Sequence, residues 1–152
     1  MEKDTLRGFL HEDLIFLQSP VKKSTDVFEE VNAIALEKGY VNDKFLTKIV
    51  ERESTFPTGL QLEQYAVAIP HTDADTIEQE FVSVVVPKEG VEFSRMDDPE
   101  EKVSANLVFV LGLNQPHKQL EMLQTLMAFI QDTENIEKLL SAKNAKEVIE
   151  AC

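Results

Sequence analysis

Hydrophobic and polar positions alternate along this chain in blocks that predict strands in its middle and helices around them. The predicted strands are residues 12–18, 65–69, 80–87, a short edge strand at 91–93, and 103–113. The last contains a long unbroken apolar run, which is typical of a strand covered on both faces of a sheet. The predicted helices are residues 24–38, 42–53, 116–131, 133–140 and 144–151. Helices around a block of strands predict an α/β or α+β sandwich.

Side chains that favour helix ends support these boundaries. Polar residues that cap helix N-termini lie at the predicted starts, and Gly39 follows the first helix as a stop; the expected caps are Ser24, Asn42, Thr133 and Asn144. Residues 54–64 contain a proline and a glycine and are predicted to form a loop. In the helix after Pro116, the apolar side chains expected to face the core are Leu120, Leu123, Met127 and Ile130.

Length and charge narrow the function classes. The chain has 152 residues without a linker, so we expect one domain over residues 1–152. A net charge of −13 argues against nucleic acid and favours a basic protein partner. The apolar runs are too short to span a bilayer, and Met1-Glu2-Lys3-Asp4 does not resemble a signal peptide. The single cysteine, Cys152, fits a cytoplasmic protein.

His71 is the first candidate for chemistry. It follows the apolar strand 65–69 and Pro70, which restricts the backbone just before the imidazole. The side chain should therefore lie at the rim of the sheet, on a rigid support. An ordinary loop histidine that caps a turn is the alternative, because one isolated motif is weak evidence.

His117 and Arg52 are the next candidates. His117 lies in the first turn of the helix after Pro116, where free N–H groups and the helix dipole favour an anion. Arg52, near the end of the second helix, offers planar donors suited to phosphate oxygens. The alternatives are a solvated histidine at a helix start and a solvated arginine between two carboxylates.

Other kinds of chemistry have less support. His71, Asp73 and His117 could form a carboxylate–imidazole metal site, although no cysteine pair or His-Glu-x-x-His motif accompanies them. The sequence lacks a Gly-x-Ser-x-Gly elbow and glycine motifs for nucleotides. We therefore expect no cofactor and no bound metal.

Three segments together resemble the enzyme IIA proteins of the fructose–mannitol class of the bacterial sugar phosphotransferase system. They are Arg52-Glu53 with Phe56-Pro57-Thr58-Gly59, then Val67-Ala68-Ile69-Pro70-His71, then His117-x-x-Leu120-x-x-Leu123. The resemblance covers nearly the whole chain. It implies an α/β fold in which a mixed sheet of about five strands is flanked by helices on both faces, the phosphotransferase/anion-transporter-like sandwich.

The resemblance also implies a function. His71 would accept a phosphoryl group through Nε2 from the phosphocarrier HPr and donate it to an enzyme IIB cysteine, which serves the membrane enzyme IIC. Arg52 and His117 would bind the phosphoryl oxygens, and Thr58 would add a hydroxyl donor. Direct insertion into the membrane is not implied.

Within the class, the segment Glu53–Gly59 and the Thr72-Asp73 that follows the histidine resemble galactitol-type members, whereas many others have glycine after the histidine. Some galactitol-type members lack a histidine at the position of His117. Two alternatives stay open: a regulatory, nitrogen-type enzyme IIA that works as a binding module, and a metal-dependent hydrolase. The sequence does not name the sugar or the oligomeric state.

Overall fold

The computed structural model describes residues 6–152; the N-terminal residues Met1–Asp4, which bear on the signal-peptide expectation, lie outside this range. A mixed five-stranded sheet forms the centre, in the spatial order β1 (Leu10–Ser19), β4 (Phe81–Pro87), β7 (Leu107–Gly112), β3 (Ala66–Ala68) and β2 (Gly59–Gln61). The pairs β1–β4 and β3–β7 are parallel, and β4–β7 and β2–β3 are antiparallel. A separate ribbon pairs β5 (Val91–Ser94) with β6 (Lys102–Ala105).

Helices cover both faces of the sheet, as the resemblance implied. One face packs against α1 (Ser24–Glu37), α2 (Phe45–Thr55) and the ribbon, and the other against α3 (Pro116–Ile130), α4 (Thr133–Leu140) and α5 (Ala145–Ala151). Strands β4 and β7 are buried along their whole length. This explains their continuous apolar sequence, because both of their faces lie against helices. Within residues 6–152, no helix combines the length and apolar character needed to cross a membrane.

The predicted strand 103–113 is wrong as a single element. Asn106 divides it into β6, which belongs to the ribbon, and β7, which lies in the central sheet. The Asn106 amide oxygen accepts the Ala66 N–H at 3.0 Å, and its own N–H donates to the Ala66 carbonyl at 2.8 Å. The chain changes sheets at this point because Asn106 pairs with the start of β3. The predicted loop 54–64 also contains the short strand β2.

The predicted helix caps are confirmed only in part. Asn144 accepts the Glu147 N–H as expected, but Asp132 caps α4 in place of Thr133. Ser24 is the first helical residue of α1 and not its cap. Asp26 in the first turn accepts the N–H groups of Lys22 and Lys23, which lie just before the helix. Asn42 accepts the Lys44 N–H, and α2 begins later, at Phe45. Gly39 ends α1 with a positive φ of 83°.

The prediction of which face of α3 is buried was partly wrong. The side chains that face the sheet are Met122, Leu126 and Ile130, whereas Leu120 is 58% exposed and Met127 is 36% exposed. Both stripes have helical spacing, so periodicity could not decide between them. The helix packs through the Met122 stripe and leaves Leu120 and Met127 toward solvent.

One edge of the sheet collects the segments that matter for chemistry. Parallel strands β3 and β7 end there, and the antiparallel strand β4 begins there. Phe81 is paired with Gly112 at this edge, and its buried ring packs against the rings of Tyr40 and Phe45. The sheet therefore presents the residues after β3 and β7 side by side.

Gly112→Ala is expected to destabilise the protein. A methyl group at Gly112 would collide with the Phe81 ring, which is fully buried and held by two other rings. Overpacking of this kind costs about 1–3 kcal/mol, measurable by chemical denaturation. Gly90→Ala is the matched control, because its new methyl group would meet Ser104, an exposed side chain whose hydroxyl can rotate away. Equal unfolding free energies for the two variants would contradict this account.

Candidate functional site

His71 is held by the continuation of the β3–β7 pairing. The Leu111 N–H donates to the Pro70 carbonyl at 2.9 Å, and His71 itself pairs with Leu111 in parallel register. Pro70 has no N–H of its own and fixes its φ, so the backbone that leads into His71 is rigid. The imidazole is consequently fixed at the sheet edge, as predicted.

The hydrogen bond of the His71 ring determines which nitrogen is free. Nδ1 lies 2.9 Å from the Ile69 carbonyl oxygen, which can only accept, so Nδ1 carries the hydrogen. In the neutral ring Nε2 then keeps its lone pair. Partial burial lowers the pKa of His71, the bond to Ile69 opposes that effect, and the charge of Arg52 lowers the pKa further. The neutral, nucleophilic form is therefore favoured.

Arg52 approaches this site from the last turn of α2. Its guanidinium carbon lies 5.0 Å from the centre of the Phe56 ring, and the Phe56 N–H donates to the Arg52 carbonyl at 2.7 Å. Phe56 is 60% exposed. The ring stacked on the guanidinium restricts where the cation can go while leaving its other side open.

An open cavity of about 230 Å³ lies between the end of α2 and the loop after His71. Its lining includes Lys48, Arg52, Phe56, Thr72 and Asp73. Lys48 forms ion pairs with Asp73 and Asp75 at 3.4 Å each. These carboxylates balance the charge of the lysine and hold the loop against α2. Arg52 has no such carboxylate partner among residues 6–152. It is the cation available to an anion here.

Thr58, which was expected to donate its hydroxyl to a phosphate, is hydrogen-bonded to Glu53 instead. Its hydroxyl donates to Glu53 Oε1 at 2.9 Å, and its N–H donates to Glu53 Oε2 at 2.8 Å. In this arrangement the single hydroxyl proton is directed to Glu53, so the phosphate-binding role stays a prediction that would require this bond to break. The observed bonds close the loop that carries Phe56.

His117 is the second residue of α3 and is exposed. Strand β7 leads from Leu111, the partner of His71, through the loop at Asn114 to this helix, so both histidines belong to the same edge of the sheet. No hydrogen bond ties the His117 ring to another residue of the part described. Its ring is free to turn toward a ligand.

The alternative metal site at His71, Asp73 and His117 is not supported by the geometry. Asp73 faces Lys48, and residues 6–152 contain no group of three histidine, cysteine or acidic side chains placed to hold an ion. The arrangement offers an imidazole nucleophile beside one guanidinium and a helix N-terminus. Such a set suits the transfer of a small anionic group.

Known protein families agree with this chemistry. The sequence model described as "Phosphoenolpyruvate-dependent sugar phosphotransferase system, EIIA 2" matches residues 8–152. The chain belongs to this family. The proteins of this family are phosphotransferases, which supports a role in phosphoryl transfer for this chain.

Individual relatives extend the comparison. The galactitol-specific EIIA component of Escherichia coli K12 is 32% identical over 117 residues, 77% of each chain. In the complex of enzyme IIAMtl with phosphorylated enzyme IIBMtl from E. coli, the matched chain is 23% identical with a TM-score of 0.74, covering 93% of this chain and 95% of that one. The nitrogen regulatory protein IIA-Ntr from Neisseria meningitidis is 25% identical with a TM-score of 0.76, covering 95% and 97%. The fold of this enzyme IIA chain is thus that of its class.

Several residues of the site escaped sequence reasoning. Lys48 acts through Asp73, which lies 25 residues away, so the local pattern contains no sign of its role. Phe56 and Glu53 contact Arg52 and Thr58 within one short segment, but the sequence does not show these contacts. The pairing of Glu53 with Phe56-Pro57-Thr58-Gly59 in one motif was the only sequence hint that these residues act together.

Glu53→Gln is expected to change how stability depends on pH. Burial raises the pKa of Glu53 from 4.5 to about 7, against the opposing effect of the Thr58 bonds. Between these pH values the folded chain keeps a proton that the unfolded chain releases. The contribution of Glu53 is therefore fully present below pH 4.5 and is lost as the pH rises through about 7. A shift of this size corresponds to roughly 3 kcal/mol.

Urea unfolding of both proteins across this range measures the effect. The wild type should lose stability relative to Glu53→Gln as the pH rises, because glutamine has no proton to release. Glu51→Gln, an exposed change on the same helix, is the control and should follow the wild-type curve. Parallel curves for wild type and Glu53→Gln would contradict the assignment.

Proposed function

We propose that this enzyme IIA chain carries a phosphoryl group on Nε2 of His71, between HPr as donor and an enzyme IIB as acceptor. The observation that carries this proposal is the bond between His71 Nδ1 and the Ile69 carbonyl. That bond leaves Nε2 with its lone pair at the open sheet edge, where another protein can reach it.

The first transfer is a displacement at phosphorus. The Nε2 lone pair of His71 forms the new N–P bond while the N–P bond of the phosphohistidine on HPr breaks, and its electron pair returns to the donor ring. The Ile69 carbonyl keeps its bond to Nδ1–H throughout, which stabilises the positive charge that develops on the His71 ring. Such transfers need alignment and charge neutralisation more than covalent help from the protein.

Arg52 and His117 are assigned to the phosphoryl oxygens. Arg52 is unpaired with carboxylates in residues 6–152 and already acts electrostatically on His71. His117 would donate from Nε2–H, and the free N–H groups at the start of α3 would add partial positive charge. Together they would neutralise three oxygens without closing the site.

The second transfer passes the group to a cysteine of enzyme IIB. The thiolate sulfur forms an S–P bond, the His71 N–P bond breaks, and the ring returns to its neutral form. The E. coli relative whose fold this chain shares was solved in complex with phosphorylated enzyme IIBMtl. Enzyme IIB in turn serves the membrane enzyme IIC, so this chain need not touch the membrane.

Exposed apolar side chains support docking of proteins at this edge. Phe56 beside Arg52 is 60% exposed, and Leu120, one turn after His117 in α3, is 58% exposed. Short-lived encounters need only a small interface. The net charge of −13 favours a donor with a basic face.

Galactitol is the proposed sugar of the system. The support is the 32% identity to the galactitol-specific EIIA component and the Thr72 that follows His71. The sugar itself would bind to the membrane partner and not to this chain.

Phosphorylation of His71 is tested with phosphoenolpyruvate, enzyme I and HPr. Intact mass spectrometry should show one added acid-labile phosphoryl group, and tandem spectra should place it on His71. His71→Ala should remain unlabelled, while His11→Ala, at a histidine of β1, should still gain one phosphoryl group at the end of the reaction. Labelling of His71→Ala at the wild-type rate would disprove the assignment.

Arg52→Ala should slow phosphoryl transfer by about 10²-fold, because removal of a preorganised charge at developing oxyanions costs about that much. Quenched-flow measurement with phospho-HPr gives the rate. Arg95→Ala is the control, since Arg95 is engaged with Asp97 outside this site. Equal rates for Arg52→Ala and the control would remove Arg52 from the mechanism.

A regulatory role is the second candidate, favoured by the 25% identity and similar fold of IIA-Ntr. Transfer of label from the phosphorylated chain to a purified galactitol-type enzyme IIB separates the two. Complete transfer supports transport, and a stable phosphoprotein in the presence of enzyme IIB supports regulation.

A further inference from the structure

The start of α3 lacks a cap of its own. Its N-cap residue, Gln115, makes no side-chain capping bond, and no acidic residue lies in the first turn. Free N–H groups at a helix start fray unless something satisfies them. His117 lies in this turn, so whatever holds the turn also determines where the His117 ring can go.

Glu80, which belongs to a different element, holds the chain on either side of this turn without capping its N–H groups. Its Oε2 accepts the Asn114 N–H at 3.1 Å, and its Oε1 lies 3.5 Å from Nζ of Lys118. One carboxylate therefore contacts the chain on both sides of His117. The Glu80 side chain is only 17% exposed, in contrast to a typical surface ion pair.

The backbone of Glu80 is itself fixed. It immediately precedes β4, whose first residue Phe81 pairs with Gly112 of β7. The Glu80 carbonyl also accepts the Nε2–H of His11 at 3.2 Å, and the His11 ring packs on Tyr40. The carboxylate is thus attached to the rigid sheet and not to a mobile loop.

We propose that Glu80 is a positioning residue for phosphoryl transfer: by holding Asn114 and Lys118 it fixes the first turn of α3 and directs His117 toward the phosphoryl group on His71. This inference rests on the proposed function, because it needs His117 to act on that group. Glu80 itself does not touch the reacting atoms.

A positioning role and a purely electrostatic role for Glu80 predict opposite changes in the transfer rate when Glu80 is removed. A carboxylate at this edge repels the phosphoryl dianion, so its removal would speed transfer if charge alone mattered. If Glu80 acts by position, its removal slows transfer. The sign of the change therefore separates the two explanations.

The rate of transfer from phospho-HPr under single-turnover conditions is the measurement. Glu80→Ala should be slower than wild type by on the order of fivefold, a moderate loss for a misplaced donor. Glu80→Gln keeps an acceptor for the Asn114 N–H and should lose less. Glu78→Ala, which removes an exposed carboxylate just before the same strand, should match the wild type.

A double-mutant cycle tests whether Glu80 works through His117. In a His117→Ala background, Glu80→Ala should cause no further slowing. An additional fivefold loss there, or a Glu80→Ala rate equal to that of Glu78→Ala, would overturn the proposal. A His117→Ala rate equal to that of the wild type would also overturn the proposal for Glu80. Labelling of His71 in the same assay would show that the proposed carrier function holds even if the proposal for Glu80 fails.

The His117 ring gives a readout that a general loss of stability would not move. In wild type, phosphorylation of His71 should shift the His117 ring resonances, and this shift should shrink in Glu80→Ala and less in Glu80→Gln. If Glu80→Ala does not fold, Glu80→Gln and Lys118→Ala decide the question. Unchanged ring shifts in both would overturn the proposal.

Discussion

The hydrogen bond from the Leu111 N–H to the Pro70 carbonyl is the constraint on which the site depends. It extends the parallel pairing of β3 and β7 past the end of β3 and into the residue before His71. Because Pro70 fixes its own φ, the bond leaves the chain little freedom at this point. The imidazole then needs only the Ile69 carbonyl to fix its tautomer.

The same pairing explains why distant segments meet. Parallel strands end at one edge, so the residues that follow β3 and the helix that follows β7 emerge side by side. The antiparallel strand β4 begins there and brings Glu80 to the start of α3. Helix α2 adds Arg52 from the opposite face of the sheet. Each contributing residue therefore lies at the end of a regular element, on a backbone that is already rigid.

Sequence reasoning recovered what depends on local pattern. Strands β1, β3 and β4, the five helices, and the placement of His71 after an apolar strand and Pro70 all follow from periodicity and backbone restriction. The division at Asn106 could not be predicted, because it depends on the pairing of that residue with Ala66 across the sheet. The buried face of α3 was ambiguous for the same reason, since two apolar stripes compete and only packing decides between them. Lys48 and Glu80 act through partners far away in sequence, which a single chain does not reveal.

The distribution of charge around His71 would influence how readily a phosphoryl group leaves it. The chain as a whole is strongly anionic, with a net charge of −13, yet the site has one unpaired guanidinium, while Lys48 is neutralised by Asp73 and Asp75. A phosphoryl dianion on His71 would thus be compensated locally but opposed by the field of the rest of the molecule. Tight binding of the phosphorylated state would slow the second transfer, because only interactions that strengthen in the transition state accelerate it. A site with a single free cation, an exposed second histidine and no enclosing lid in residues 6–152 suits a group that must arrive and leave with equal ease.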